Sequence, residues 1–179
     1  MDLMLLRAFQ HQIKIQCEFV LQAALSVDEA VRNGNGTETF YGIQNLLNAA
    51  ANIRKALWGS NETVAADRKL LRDSLETGEK SALFTKTVIR NHNEHFDERL
   101  DRWWRESKQK NLADIIVGPR NMIAGFDEID RFRWYDPTNG DLLFWGDAFN
   151  LRELVTEIKR LYPIAVQESK KPHFRVERK

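Results

Sequence analysis

The chain has 179 residues, of which 42% are hydrophobic and 30% are charged. This composition is typical of one folded globular domain with its own core and excludes a disordered chain. The 27 basic and 26 acidic residues give a formal net charge of +1, so binding to nucleic acid or anionic lipid would need a local patch.

The N-terminal segment, residues 1–16, has no basic region before a long apolar run, and Arg7, His11 and Lys14 interrupt its apolar residues. We therefore expect neither a signal peptide nor a membrane span. The single cysteine, Cys17, falls on an apolar helical stripe, which indicates a buried thiol rather than a nucleophile. Together these features favour a cytoplasmic protein without membrane contacts.

Apolar residues spaced alternately by three and four predict long helices before the first proline, Pro119. The stripe of the first helix consists of Leu6, Phe9, Ile13, Cys17, Val20, Ala24, Val27 and Val31. The sequence NGNG (residues 33–36) ends this helix, and Thr37 is the predicted N-cap of the second. The stripe of the second helix consists of Ile43, Leu46, Ala50, Ile53 and Leu57.

Two further helices complete the predicted bundle. Asn61 is expected to cap a third helix over residues 62–76, which turns Val64, Leu71 and Leu75 inward and stops at Gly78. A fourth helix is predicted to run without a break over residues 81–107. Its inward arc would consist of Ile89, Phe96, Leu100 and Trp103. Short links between the helices favour an up-and-down arrangement.

After Pro119 the pattern changes to short runs rich in aromatic residues. The turn sequence DPTNG predicts a β-hairpin of Arg131–Tyr135 with Asp141–Trp145, with room for a third strand near Met122. Asn150 is expected to cap a last helix, with Glu153 in capping-box position. The buried stripe of that helix would be Leu151, Leu154, Ile158 and Leu161, and Pro163 would terminate it.

The predicted fold class is therefore mainly α, an up-and-down helical bundle with a small C-terminal β-hairpin and a closing helix. The bundle would occupy residues 1–118, and residues 119–168 would pack on it as an accessory hairpin plus helix within one domain. Residues 169–179 would form a basic, flexible tail, for which a nucleic-acid-contacting arm is the alternative.

The fourth predicted helix concentrates polar groups that suit metal-independent phosphodiester chemistry. An imidazole can take a proton from a ribose 2′-hydroxyl, and a guanidinium can bind phosphate oxygens. On an ideal helix Asn91 and His95 share a face, whereas Arg90 lies roughly 140° from His95. Arg90 and His95 could therefore act together in one of three ways. The Arg90 side chain could reach around the helix, the helix could deform, or two copies of the chain could meet across a two-fold axis.

The pattern Arg90-Asn91-His92-Asn93-Glu94-His95 resembles the Arg-x4–6-His signature of HEPN domains, helical bundles that often form homodimers with a shared ribonuclease site. The resemblance covers the motif and the helical layout of about residues 1–107. It implies Arg90 and His95 as catalytic residues, with Asn91 supporting them in the catalytic set. We also expect His92 and Glu94 to contact the substrate. The resemblance also implies an RNA substrate, no cofactor, and the role of a toxin in toxin–antitoxin or antiphage systems, beside an antitoxin of nucleotidyltransferase type.

Each of these residues also has a simpler interpretation. Arg90 could only pair with Glu94 one turn later. His92, His95 and Glu98 are spaced by threes and could converge on a metal ion, although we favour a site without metal. The charged residues after His95 are interpreted as a solvated face. The alternative function is a non-catalytic helical module that binds a protein partner or a nucleotide.

Overall fold

The computed structural model describes residues 1–59, 61–85, 95–144 and 147–173. These ranges are mainly helical, with a small sheet and a closing C-terminal helix, so the predicted fold class is confirmed. The helices are α1 (Leu3–Arg32), α2 (Gly36–Trp58), α3 (Glu62–Asp67), α4 (Lys69–Ser74), α5 (Ala82–Thr85), α6 (Phe96–Glu106) and α7 (Leu151–Ser169). The strands are β1 (Ile116–Val117), β2 (Arg133–Asp136), β3 (Asp141–Phe144) and β4 (Asp147–Asn150).

The longest helix, α1, packs against both α2 and the closing helix α7. The apolar stripes predicted for α1 and α2 face this core, and Cys17 is fully buried as predicted. The expected N-cap of α2 is wrong. Asn35, not Thr37, has the extended backbone of an N-cap, and its side chain accepts a hydrogen bond of 3.1 Å from the backbone N–H of Glu38.

The third predicted helix is interrupted at Arg68, which separates α3 from α4 with φ −85° and ψ −1°. The prediction of one unbroken helix is therefore wrong at that residue. The side chain of Arg72 donates hydrogen bonds of 2.8 Å and 2.6 Å to the carbonyls of Leu57 and Ala65. Arg72 thus ties the last turn of α2 to α3, while Leu71 and Leu75 are fully buried as predicted.

The four strands lie in the order β1-β2-β3-β4, with β1 parallel to β2 and the other pairs antiparallel. The predicted hairpin corresponds to β2 and β3, although Trp145 lies outside the described residues. The expected third strand near Met122 is wrong, because that residue is exposed and lies outside the strands. The added strands are β1, at Ile116–Val117, and β4, which the sequence did not predict.

The closing helix begins where predicted, since the side chain of Asn150 accepts a hydrogen bond of 3.1 Å from the backbone N–H of Glu153. The predicted end at Pro163 is wrong, because α7 continues through it to Ser169. Pro163 lies on the exposed outer face, while Ala165 continues the buried face. An ion pair of 3.3 Å between Arg7 and Glu168 then holds the last turn against α1.

A membrane-spanning helix is absent from the described ranges, since none of their helices combines sufficient length with sufficient apolar character.

Candidate functional site around His95

The structure describes only the last residue of the predicted site. Arg90, Asn91, His92 and Glu94 lie outside the described residues, and His95 is the first described residue after them. The geometry of the site is therefore built from His95 and the helix that follows it.

His95 precedes α6 and is not part of a continuous helix. Its backbone has φ −119° and ψ 37°, outside the helical region, and α6 begins at Phe96. The prediction of one unbroken helix over residues 81–107 is therefore wrong at His95. The helical wheel no longer relates the direction of Arg90 to that of His95, so the inference of a dimer from the wheel loses its geometric basis.

The His95 imidazole is accessible and has a carboxylate partner. Nδ1 of His95 lies 3.3 Å from Oε1 of Glu98, and the two side chains are 54% and 72% exposed. When Nδ1 carries the proton and donates to Glu98, the lone pair is on Nε2. A carboxylate in this position can orient the ring and stabilise the imidazolium that forms when Nε2 takes a proton.

The other end of α6 is anchored by a buried carboxylate. Oδ1 of Asp130 accepts a hydrogen bond of 2.9 Å from the indole N–H of Trp103 and one of 2.5 Å from the hydroxyl of Ser107. Asp130 is fully buried in the 3-10 turn Glu128–Asp130. This contact fixes the C-terminal half of α6 against the segment that leads into the sheet.

The N-terminal end of α6 is open to solvent. Leu100 packs against the core as predicted, but Phe96 is 55% exposed, so its place in the inward arc is wrong. None of the residues 96–106, all of which the structure describes, is buried. The charged residues of α6 form the predicted solvated face, and Arg102 pairs with Glu106 at 3.0 Å. His95 is thus presented at the open end of a helix held at its other end.

Sequence reasoning missed two residues of this site. Glu98 was placed in the solvated face and in the metal alternative, although its i,i+3 spacing to His95 is visible in the sequence. The role of Asp130 has no local sequence signal, because its partner Trp103 is 27 residues away.

The metal alternative requires His92, which lies outside the described residues. Within the described ranges, His, Cys, Asp and Glu side chains form no group of three that could hold a metal ion.

Comparison with known proteins gives no match to a family model, to a curated protein or to a solved structure.

Proposed function

We propose that this protein is a metal-independent endoribonuclease of the HEPN type. The observation that carries the proposal is the accessible His95–Glu98 pair at the end of the Arg90-Asn91-x3-His95 sequence. An exposed imidazole with an oriented ring is the minimum that a general acid–base group needs. In the proposal Arg90, which precedes His95 in the motif, supplies the complementary charge for phosphate.

RNA contains its own nucleophile, so the protein needs only to move protons and to stabilise charge. In the proposed reaction His95 takes the proton of a ribose 2′-hydroxyl, and the 2′-oxygen forms a bond to the adjacent phosphorus. The bond from phosphorus to the 5′-oxygen breaks, and that oxygen leaves with a proton from a second acid. Arg90 binds the non-bridging oxygens, whose charge increases in the transition state, and Asn91 orients the phosphate. His92 and Glu94 contact the substrate.

A homodimer would supply the second acid. In this arrangement each copy contributes one Arg90, one Asn91 and one His95 to a shared cleft, so one imidazole acts as base while its counterpart acts as acid. The resemblance to HEPN domains supports the dimer. On the same basis we propose that the protein is a toxin of a toxin–antitoxin or antiphage system and that an antitoxin or a nucleotidyltransferase-type partner restrains it. In this proposal the protein acts in the cytoplasm.

Cleavage of a mixed RNA substrate in the presence of EDTA tests the nuclease proposal. We expect the wild type to cleave, and His95→Ala and Arg90→Ala each to lose activity by about a hundredfold or more. Glu98→Gln should lose less, because it orients His95 without touching the substrate. Glu106→Gln is the matched control, since it removes another exposed, ion-paired carboxylate from α6. Equal cleavage by wild type and His95→Ala would overturn the proposal.

The toxin proposal has its own test, which is growth after induced expression. Wild type should arrest growth, whereas His95→Ala should not. Cleavage in vitro without growth arrest would reject the toxin role and leave the nuclease standing.

The alternative is a non-catalytic module that binds a protein partner. It is favoured by one observation, the exposure of Phe96 (55%) and Trp104 (63%) on α6, since exposed aromatic residues are enriched where proteins bind partners. Under this alternative, Phe96→Ser and Trp104→Ser would abolish binding to the partner, and His95→Ala would leave it intact. The nuclease proposal predicts that His95→Ala has the larger functional effect.

A further inference from the structure

A concave site, separate from His95, lies on the side of the bundle formed by the end of α2, by α3 and α4, and by Phe84 of α5. Its volume is about 820 Å³, within the range of small-molecule sites, and it is open to solvent. Its basic lining residues are Arg54, Lys55, Arg68 and Arg72. We call this site the basic cavity.

The positive charge of the basic cavity lacks compensation by carboxylates. Four basic side chains line it against two acidic ones, Glu62 and Glu79, and the two acids are exposed. Among the described residues, none of the four basic side chains has a carboxylate within ion-pair distance. Arg54, Arg68 and Arg72 are partly buried. Partly burying charges of one sign is unfavourable, and a ligand of opposite charge would offset this cost.

The four basic side chains have different structural roles. Arg72 donates hydrogen bonds to two backbone carbonyls, so its role is to stabilise the fold. The guanidinium of Arg68 lies 3.7 Å from the ring centroid of Phe9, a cation–π contact that positions it without using its N–H donors. Arg54 and Lys55 lie in the last turns of α2, whose negative end partly offsets their charge.

Several donors around the basic cavity have no acceptor. The Nε–H groups of Arg54 and Arg68 are buried and have no hydrogen-bond partner among the described residues. The same holds for the indole N–H of Trp58, a lining residue whose side chain is only 6% exposed. These three atoms are shielded from solvent, so they do not themselves contact a ligand; they show that the residues around the basic cavity have more hydrogen-bond donors than acceptors.

We propose that the basic cavity binds a phosphate-bearing anion through Arg54, Arg68 and Lys55. A phosphate monoester carries close to two negative charges and several acceptor oxygens, which match two guanidinium groups and one ammonium. A single carboxylate would satisfy one of these groups and leave the others unpaired. The proposal does not rest on nuclease activity, because none of these residues belongs to the Arg90–His95 motif.

Calorimetric titration with pyrophosphate tests the proposal, against sodium chloride of equal ionic strength as the reference. We expect saturable binding to the wild type. Arg54→Gln and Arg68→Gln should each weaken the affinity by about tenfold or more, because each removes a charge-assisted donor. Lys69→Gln is the matched control, since Lys69 adjoins Arg68 but points away into an exposed ion pair with Asp73. It should change the affinity by less than about twofold.

Two results would overturn the proposal. One is a response to pyrophosphate that does not exceed the response to sodium chloride, and the other is an equal loss of affinity in Lys69→Gln and Arg54→Gln. Circular dichroism checks that each variant is folded. If Arg68→Gln does not fold, Arg54→Gln and Lys55→Gln decide the question.

A second comparison distinguishes the sources of the phosphate, using a dinucleotide with a 5′-phosphate and the same dinucleotide with a 5′-hydroxyl. Tighter binding of the phosphorylated form supports a site for the end of a nucleic acid strand. Binding of pyrophosphate but of neither dinucleotide supports a site for a small phosphorylated molecule. Equal binding of both dinucleotides without binding of pyrophosphate would contradict a phosphate monoester site.

Discussion

The indole Nε1 of Trp103 donates a hydrogen bond of 2.9 Å to Oδ1 of Asp130 and so joins α6 to the segment that precedes the sheet. The hydroxyl of Ser107 donates to the same oxygen, whereas Oδ2 of Asp130 has no hydrogen-bond partner among the described residues. The fully buried carboxylate of Asp130 thus accepts its side-chain hydrogen bonds from Trp103 in α6 and from Ser107, the residue directly after α6. In return α6, which buries none of its own residues, is fixed by that carboxylate.

Replacement of Asp130 should loosen α6. In Asp130→Ala the buried hydroxyl of Ser107 and the indole N–H of Trp103 lose their acceptor, and we expect a loss of about 1–3 kcal/mol in the free energy of unfolding. Urea denaturation measures the loss, and hydrogen exchange should show faster exchange of the α6 amides. Asp101→Ala, an exposed acid on the same helix, is the control and should change the stability by less than about 0.5 kcal/mol. Equal effects of the two variants would contradict the anchoring role.

The parts of the fold that sequence reasoning predicted are those determined within one element. The stripes of α1, α2 and α7 follow the helical period, and Asn150 caps α7 through a residue only three positions away. The strands at the sheet edges were missed because they depend on pairing with another strand and not on a pattern within their own residues. Ile116–Val117 is two residues long and is a strand only because it pairs with β2, which no local pattern encodes.

The candidate site shows the same limit. Helical periodicity joined Phe96 and Leu100 to one inward arc, but the structure exposes Phe96 and starts the helix there. Periodicity places residues on faces and does not determine where a helix begins, because the starting residue depends on capping and tertiary contacts. The contact of Trp103 with Asp130 is likewise nonlocal and has no sequence signature.

The Glu157 carboxyl should contribute a pH-dependent stabilisation. Partial burial alone would raise its pKa, but hydrogen bonds from Arg160 and Ser81 outweigh burial and lower the pKa below its ordinary value of 4.5. A lowered folded-state pKa stabilises the fold above the unfolded-state pKa, and this contribution is lost as the pH falls through the folded-state value. Glu157→Gln should therefore be less stable than the wild type at pH 7, and the difference should shrink below pH 4.5.

Thermal denaturation between about pH 3 and pH 7 measures the difference in stability between the wild type and Glu157→Gln. This interval includes the ordinary pKa of a glutamate carboxyl. Glu29→Gln, which removes an exposed carboxylate from α1, is the control and should follow the wild type at each pH. A difference between wild type and Glu157→Gln that stays constant over the interval would show that the carboxylate charge is not the cause.

The Cys17 thiol should be unreactive in the folded protein. The side chain is fully buried, and burial, with a smaller contribution from the charge of Glu18, raises its pKa to about 12. Because the thiolate is the reactive species, a disulfide reagent at pH 8 should label native protein at least about a hundredfold more slowly than denatured protein. Ser26→Cys adds an exposed thiol on the same helix and should be labelled rapidly in the native state. Rapid labelling of the native wild type would contradict the burial of Cys17.

Substitution of Pro163 should stabilise the closing helix. The residue lies inside α7 on its exposed face, so its ring removes one backbone hydrogen bond without filling any part of the core. Pro163→Ala restores the N–H donor for the carbonyl of Lys159, and we expect a gain of about 1–2 kcal/mol in the free energy of unfolding, which is less than the full helix penalty of proline because proline also restricts the unfolded chain.

Urea denaturation measures this gain, and Pro163→Gly provides the comparison. Glycine also restores the N–H but has a lower helix propensity, so it should be less stable than Pro163→Ala by about 1 kcal/mol. This order follows only if the backbone at residue 163 is helical. If Pro163→Ala is less stable than the wild type, the expectation of a helical backbone at residue 163 is contradicted. That result would favour a helix that ends at Pro163.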